Sequence, residues 1–290
     1  MSWSSACAAI FCRCTIAVVL FASPLVAQDA PPPNEDGPPP KNWTEQVEQS
    51  ATLIDIYPDL GAETPVDRVN AYKWSNTARG QVLGDRLCLL YVHQGRPVAS
   101  CKVYPTGRSI VHTFVTMTDQ PIVALQSKLA VWTPPSAELK WTPLDDFAAP
   151  HATAAGRSVQ MRAIAREFRG EIGAGEARRQ KSSPQLRLLP QPIYRYDLSE
   201  AQPDGVIDGA VFAYTAEGGN PELLLMVEAL DQEGTLSWRS AFNRRSIAET
   251  KGFYRDAEVW KVDFLPASAL SSTGPLYKLD LPAVEPRTRN

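Results

Sequence analysis

Histidine is nearly missing from this chain: three occur in 290 residues, at 93, 112 and 151. No two are spaced as paired metal ligands, and no Cys-x-x-Cys occurs, so the sequence points to no metal and no other cofactor. A Gly-x-Ser-x-Gly elbow, a Ser-x-x-Lys set and a Gly-rich phosphate loop are all absent. Those absences leave only scattered candidates for chemistry. His112 alternates with Ile110 and Phe114 along a strand-like stretch and reads as a core or edge histidine. Asp145 and Asp146 form the one adjacent carboxylate pair singled out for acid–base work. Asp204-Gly205 and Asp208-Gly209 read as turns rather than a calcium loop, because Asp-Gly is a turn signal first.

Excess positive charge is missing as well. The formal net charge is −3, which argues against a nucleic-acid partner. Long apolar runs are missing beyond the amino terminus. The longest, Cys14 to Ala22, follows Arg13 and precedes the small-residue stretch Leu25-Val26-Ala27. It is too short for a membrane helix and has the layout of a cleaved export signal, residues 1–27. No integral membrane segment is expected after cleavage, and the expected location is periplasmic or extracellular.

Three of the five cysteines fall within that signal. The remaining pair, Cys88 and Cys101, suits an oxidising compartment. Strands over Arg86 to His93 and Val98 to Pro105, joined at Gln94-Gly95-Arg96-Pro97, place both cysteines on one face if Gln94 opposes Pro97. They then stand one diagonal step apart, and a small slip brings them within disulfide reach. A disulfide is the expectation; two buried thiols are the alternative.

Proline is plentiful, and six of the ten residues 31–40 are proline. Residues 28–42 therefore read as an extended, disordered spacer. A short helix is expected after it, with Thr44 as the cap. Residues 43–150 read as an amino-terminal β-rich module and 186–290 as a carboxy-terminal one. Between them, 151–185 read as a connecting helix and linker. Met161, Ile164, Ala165, Phe168 and Ile172 predict one apolar stripe on a helix over 156–172. Arg162, Arg166 and Arg169 fall on its opposite, basic face. Residues 28–70 carry a net −7 and residues 157–187 a net +5. Such runs are usually solvated faces, with docking of the acidic segment on the helix as the sharper option. The tryptophans, among them Trp74, Trp132, Trp141, Trp238 and Trp260, read as core packing rather than a sugar platform.

The two modules share a signature. Tyr72-Lys73-Trp74, the run Leu87 to Tyr91, Gly95-Arg96-Pro97 and Val131-Trp132 recur in order. Their counterparts are Tyr194-Arg195-Tyr196, Val211 to Tyr214, Gly219-Asn220-Pro221 and Val259-Trp260. The offset drifts only from 122 to 128 residues. An internal repeat of this kind predicts duplicated architecture. The fold class is therefore mainly β or α+β: two related antiparallel β-rich modules joined by one amphipathic helix.

The strings QMRAIAREF and RLLPQPIYRY, with Asp208-Gly-Ala-Val-Phe-Ala-Tyr and Asn220-Pro-Glu-Leu-Leu-Leu-Met-Val-Glu-Ala, resemble a group of uncharacterised exported proteins of planctomycete-type bacteria. The resemblance carries no activity, cofactor or site residue. The expected role is a non-enzymatic binding or structural component of the cell envelope, with an envelope protein or polymer as partner. A hydrolase of envelope or extracellular polymers is the alternative. A small-molecule site at the seam between the modules is a third option, since ligands prefer such seams.

Overall fold

The computed structural model describes residues 42–75, 84–107, 109–137, 139–173, 185–199 and 202–283. The expected signal segment, nearly all of the spacer and most of the linker at 174–184 lie outside the described residues. The described chain is mainly β, with two α-helices.

The first module opens with α1 (Trp43–Ser50). Its cap is Asn42, two residues before the expected cap Thr44, which lies inside the helix; Asn42 Oδ1 accepts the Glu45 N–H at 3.2 Å. Strand β1 (Ile54–Tyr57) follows. Then comes a meander of β2 (Asp67–Ser75), β3 (Asp85–His93), β4 (Arg96–Thr106) and β5 (Ser109–Thr116). A hairpin, β6 (Val123–Gln126) and β7 (Leu129–Trp132), folds back so that β6 pairs with β1.

The second module repeats this plan. Helix α2 (Ala154–Arg166) leads into β9 (Phe168–Ile172). The meander is β11 (Tyr194–Arg195), β12 (Val206–Thr215), β13 (Pro221–Gln232) and β14 (Thr235–Arg244). The hairpin β15 (Thr250–Tyr254) and β16 (Ala257–Val262) returns, and β15 pairs with β9. One extra strand, β10 (Gln185–Leu188), bridges β9 to β12 and makes the second sheet continuous.

The last strand of each module crosses to the other. Strand β8 (Thr142–Pro143) follows β7 but pairs with β14. Strand β17 (Leu276–Pro282) follows β16 but pairs with β5 over seven residues. Each module thus covers an edge of its partner, and an uncovered edge is a hazard for any sheet.

Three apolar clusters stack in sequence. Helix α1 and the small β1–β6–β7 sheet cover one face of the first meander, around Leu89, Cys101, Phe114 and Trp132. The other faces of the two meanders meet at a seam built from Leu90, Val92, Val211, Leu224 and Met226. Helix α2 covers the far face of the second meander, over Phe212, Leu225 and Phe242. Both faces of β13 are therefore dry, which explains why its sequence reads as an unbroken apolar run rather than alternating. The second sheet also curls, bringing Phe242 of β14 and Trp260 of β16 within 5.7 Å between ring centroids.

Three expectations need correction. The apolar stripe at 161–172 crosses a structural boundary. Met161, Ile164 and Ala165 are buried on α2, but Phe168 and Ile172 belong to β9. The free edge of β15 captures 168–172, and that tertiary pairing overrides the helical period. Arg169 is consequently in a strand, stacked 3.6 Å over the Phe253 ring and paired with Glu171. Arg162 and Arg166 stay on the helix, so no face joins all three. Asp208-Gly209 is not a turn but lies inside β12.

The disulfide is the third correction: Cys88 and Cys101 are buried free thiols. The hairpin turns tightly at Gln94 and Gly95, both at positive φ, and His93 opposes Arg96. A bulge between Tyr91 and Val92 then sets Cys88 opposite Lys102 and Leu89 opposite Cys101. Shifting the register by one residue changes the face a side chain occupies. Cys101 joins the outer core, while Cys88 points to the seam side with Leu90.

Candidate functional site at the module seam

The repeat signature turns out to be the docking signature. The Tyr194 hydroxyl donates to Gly95 O at 3.1 Å, and the Asp197 N–H donates to the same oxygen at 3.2 Å. In return Gly219, the counterpart of Gly95, packs against Tyr72 and Trp74, the counterparts of Tyr194 and Tyr196. Each turn of one copy rests on the aromatic strand of the other. That is the self-complementary contact of a two-fold dimer, here within one chain.

Strand β13 places Glu222 and Glu228 six residues apart, so both face the seam. Glu228 is fully buried. It accepts from Arg96 Nε at 3.0 Å, Arg96 Nη2 at 3.1 Å, Arg239 Nε at 2.8 Å and the Tyr196 hydroxyl at 2.9 Å. Asp204 bridges the same two arginines, taking Arg96 Nη1 at 3.0 Å and also pairing with Arg239. Burial pushes the Glu228 carboxyl above its ordinary value, against the pull of Arg96 and Arg239. At Asp204 partial burial opposes the charge, but Arg239 and Arg96 outweigh it and hold the carboxyl below its ordinary value. Arg239 stacks on the Trp141 ring at 4.3 Å.

Beside this network lies a cleft of 490 Å³. Both modules line it, with His93, Asp119 and Gln120 from the first and Asp204 and Arg239 from the second, and with Trp141 on the connection between them. Its size lies within the roughly 300–1,000 Å³ of ordinary ligand sites. Both arginines are held by fully buried Glu228, itself bonded to the Tyr196 hydroxyl, so the cleft wall is preorganised.

The opposite end of the seam is built differently. Lys102 Nζ reaches Glu222 at 3.4 Å, Asn220 Oδ1 at 3.4 Å and Pro221 O at 3.3 Å, all long contacts. Burial pushes the Lys102 ammonium below its ordinary value; Glu222 opposes that shift and Arg245 adds to it. A smaller recess of 250 Å³ opens here, lined by Trp74, Arg86, Lys102, Tyr104 and Asn220.

The residues first considered for chemistry do not converge. His112 is fully buried in β5, with Nε2 2.8 Å from Ser50 Oγ and Nδ1 3.9 Å from Cys101 Sγ. It ties α1 to the sheet, and burial drives its pKa down to about 4. Asp145 and Asp146 sit on a turn after β8, in the other module's surroundings. Asp146 accepts from the Tyr254 hydroxyl at 2.5 Å and pairs with Arg255 at 2.8 Å, while Asp145 is exposed. Arg162 bonds Gln191 at 3.3 Å, and Arg166 is exposed. The acidic residues of 42–70 that form ion pairs do so within their own module, Glu48 with Lys73 and Asp55 with Arg68. Trp74, Trp132 and Trp238 are core residues, as expected.

Among the described residues no group of three or more His, Cys, Asp or Glu side chains could hold a metal ion. No described helix is long and apolar enough to cross a membrane. No protein-family model matches the chain, and comparison with curated proteins and with solved structures finds no similar one.

Sequence reasoning missed Arg96, Lys102, Glu222, Glu228, Arg239 and Arg245. One signal was available. Two glutamates bracket the apolar string Leu-Leu-Leu-Met-Val at an even spacing, so any buried strand there must bury both and supply cations to meet them.

Proposed function

We propose that this is an exported, non-catalytic binding component of the cell envelope. Its ligand is a hydroxyl-rich, uncharged segment of an envelope polymer, seated in the cleft at the Arg96 end of the seam. The observation that carries this reading is the cleft itself: a recess of 490 Å³ lies where both copies meet, beside a buried network that fixes its wall. Its lining mixes acceptors and donors, Asp119, Gln120 and His93, with the indole of Trp141. That mixture suits a saccharide, which offers hydroxyls at its edge and C–H groups on its face. Export rests on the amino-terminal signal pattern.

Two of the groups considered for a hydrolase are engaged elsewhere. Asp204 is tied to two arginines, and His112 is sealed in the core. A general acid or base must reach its substrate and titrate near the working pH.

Titration of neutral envelope oligosaccharides into isotopically labelled protein tests the proposal. Binding should move the Trp141 indole signal, and Trp141→Ala should weaken it about tenfold, in line with an aromatic contact worth 1–2 kcal/mol. Binding that ignores Trp141→Ala, or no binding to any such oligosaccharide, would overturn it.

A further inference from the structure

Another recess, of 250 Å³, opens where the ends of β5 and β14 meet β16 and the segment leading into β8. Most of its lining is apolar, with Leu139, Phe242 and Trp260 among the residues. The half-buried Trp260 ring rests on Phe242, 5.7 Å between centroids and tilted by 36°. The charged residues of the lining are Lys140, Arg244 and Lys261, with no carboxylate beside them.

The three cations are not equivalent. Lys261 is committed, to Glu249 at 3.7 Å and Asp263 at 3.2 Å. Lys140 is exposed, and its ammonium meets no carboxylate among the described residues. Arg244 is fixed by carbonyls instead of carboxylates. Its Nε donates to Ser246 O at 3.0 Å, and its Nη2 to Asp263 O at 3.1 Å and to Ile247 O and Ala248 O at 3.3 Å. Its Nη1 has no acceptor among the described residues. Burial pushes the guanidinium below its ordinary value and Asp263 opposes that shift, but an arginine keeps its charge in a protein. Four carbonyls therefore hold this cation in place without neutralising it.

A partly buried cation without a counter-charge is costly, so the recess favours an anion. The head group must be small, because Nη1 and the Lys140 ammonium are the donors left over. A phosphate would press further oxygens against Leu139 and Phe242, which cannot donate to them. A carboxylate has two oxygens for two donors. The body behind it must lie against Trp260, whose face suits an aromatic ring or the C–H face of a sugar. The volume falls below the roughly 300–1,000 Å³ of ordinary ligand sites, which limits the body to one ring. We infer that this recess binds a carboxylate carried on a single ring, either a free aromatic acid or an acidic sugar unit of a polymer. Arg244 and Lys140 hold the carboxylate, and Trp260 carries the ring. Leu139 lines both this recess and the cleft, so the two are neighbours, but the inference does not rest on what the cleft binds.

Benzoate, glucuronate and neutral glucose are titrated into the isotopically labelled protein at constant ionic strength, with chloride as the balancing anion. At least one of the two acids should move the Trp260 indole signal, and glucose should leave it in place. Trp141 reports the cleft separately, so failure here and failure of the saccharide proposal are distinguishable. Lys140→Gln removes a side chain that holds no described carboxylate, and it should weaken binding about threefold, the size of an exposed charge contact. Lys140→Arg should restore it. Arg244→Gln should weaken binding about tenfold or more, as expected for hydrogen bonds to a charged group. Binding of benzoate alone assigns the site to a free aromatic acid, and binding of glucuronate alone to an acidic sugar unit. Binding of both shows that the carboxylate is what the site reads, and all three outcomes uphold it. A Trp260 signal unmoved by either acid, a response to glucose matching that to the acids, or affinity unchanged in Lys140→Gln overturns it.

Discussion

The two ends of the seam occupy equivalent places in a duplicated plan, yet they handle buried charge in opposite ways. At one end Glu228 and Asp204 meet two arginines through contacts of 2.8–3.1 Å, with both Glu228 oxygens engaged. At the other, Glu222 meets a lysine through a contact of 3.4 Å. Arginine stays charged in any protein setting and grips a carboxylate with a fork; lysine is a point charge that can shed its proton when buried. The first end is therefore held rigidly. The second rests on a longer contact to a group that can lose its charge. Duplication supplies two copies of a surface, and divergence of a few side chains makes one end a tight fastener and the other a looser one.

Breaking Glu228 should have the largest effect. Glu228→Gln leaves two arginines partly unpaired in a dry seam, at a cost of about 3–5 kcal/mol. Denaturant titration reads it, and a loss below 1 kcal/mol would mean the network contributes little. The paired glycines come next. A Cβ on Gly95 would fall 1.9 Å from Asp197 O, whereas one on Gly219 would come no nearer than 3.2 Å to the Tyr72 hydroxyl and 3.5 Å to Trp74. Both glycines sit at positive φ, 81° and 79°. Gly95→Ala should therefore cost about 3–4 kcal/mol, combining backbone strain with overpacking, and Gly219→Ala about 1–2. Equal costs would contradict the inequality of the two ends.

Acid titration separates the seam from the outer core. His112 titrates near 4 in the folded chain against 6.5 unfolded, so between those values the unfolded chain takes up a proton that the folded one refuses. Stability should therefore fall as pH drops from about 6.5 to 4, by up to about 3 kcal/mol, and His112→Phe should remove that slope. The smallest effect is expected at Glu222. Glu222→Gln should cost about 1–2 kcal/mol near neutral pH, because buried Lys102 loses its partner. That cost should shrink as pH rises toward 10.5, since Lys102, already below its ordinary value, gives up its proton before the unfolded chain does. A cost that is flat with pH would show that Lys102 stays charged.

Much of the fold is legible in the residues. The Gly-x-Pro turns and the Tyr-x-Trp/Tyr strands mark the duplication because they make the contacts between the copies. Their chemistry, tight turns and amphipathic rings, is visible without coordinates. The register is not legible, because one bulge near Val92 reverses the faces of Cys88 and Cys101 and nothing local announces it. Nor is the strand character of 168–172, which depends on an edge supplied about eighty residues later by β15. The seam charges escape for a related reason. Arg96 meets Glu228 only after two modules dock, and that sequence separation leaves no short motif. Glu222 and Glu228 alone carry a local hint, being acids at even spacing on an apolar strand.

The central claim is that each copy is completed by the other. It is tested most directly by dividing the chain in the loop between Pro150 and His151 and melting the halves apart and together. The amino-terminal half lacks β17, so β5 loses its neighbour and the seam face around Leu90 and Val92 is bare. Alone it should show no cooperative transition, and mixing with the carboxy-terminal half should restore a single one. A cooperative melt of the amino-terminal half by itself, at the midpoint of the intact protein, would contradict the claim.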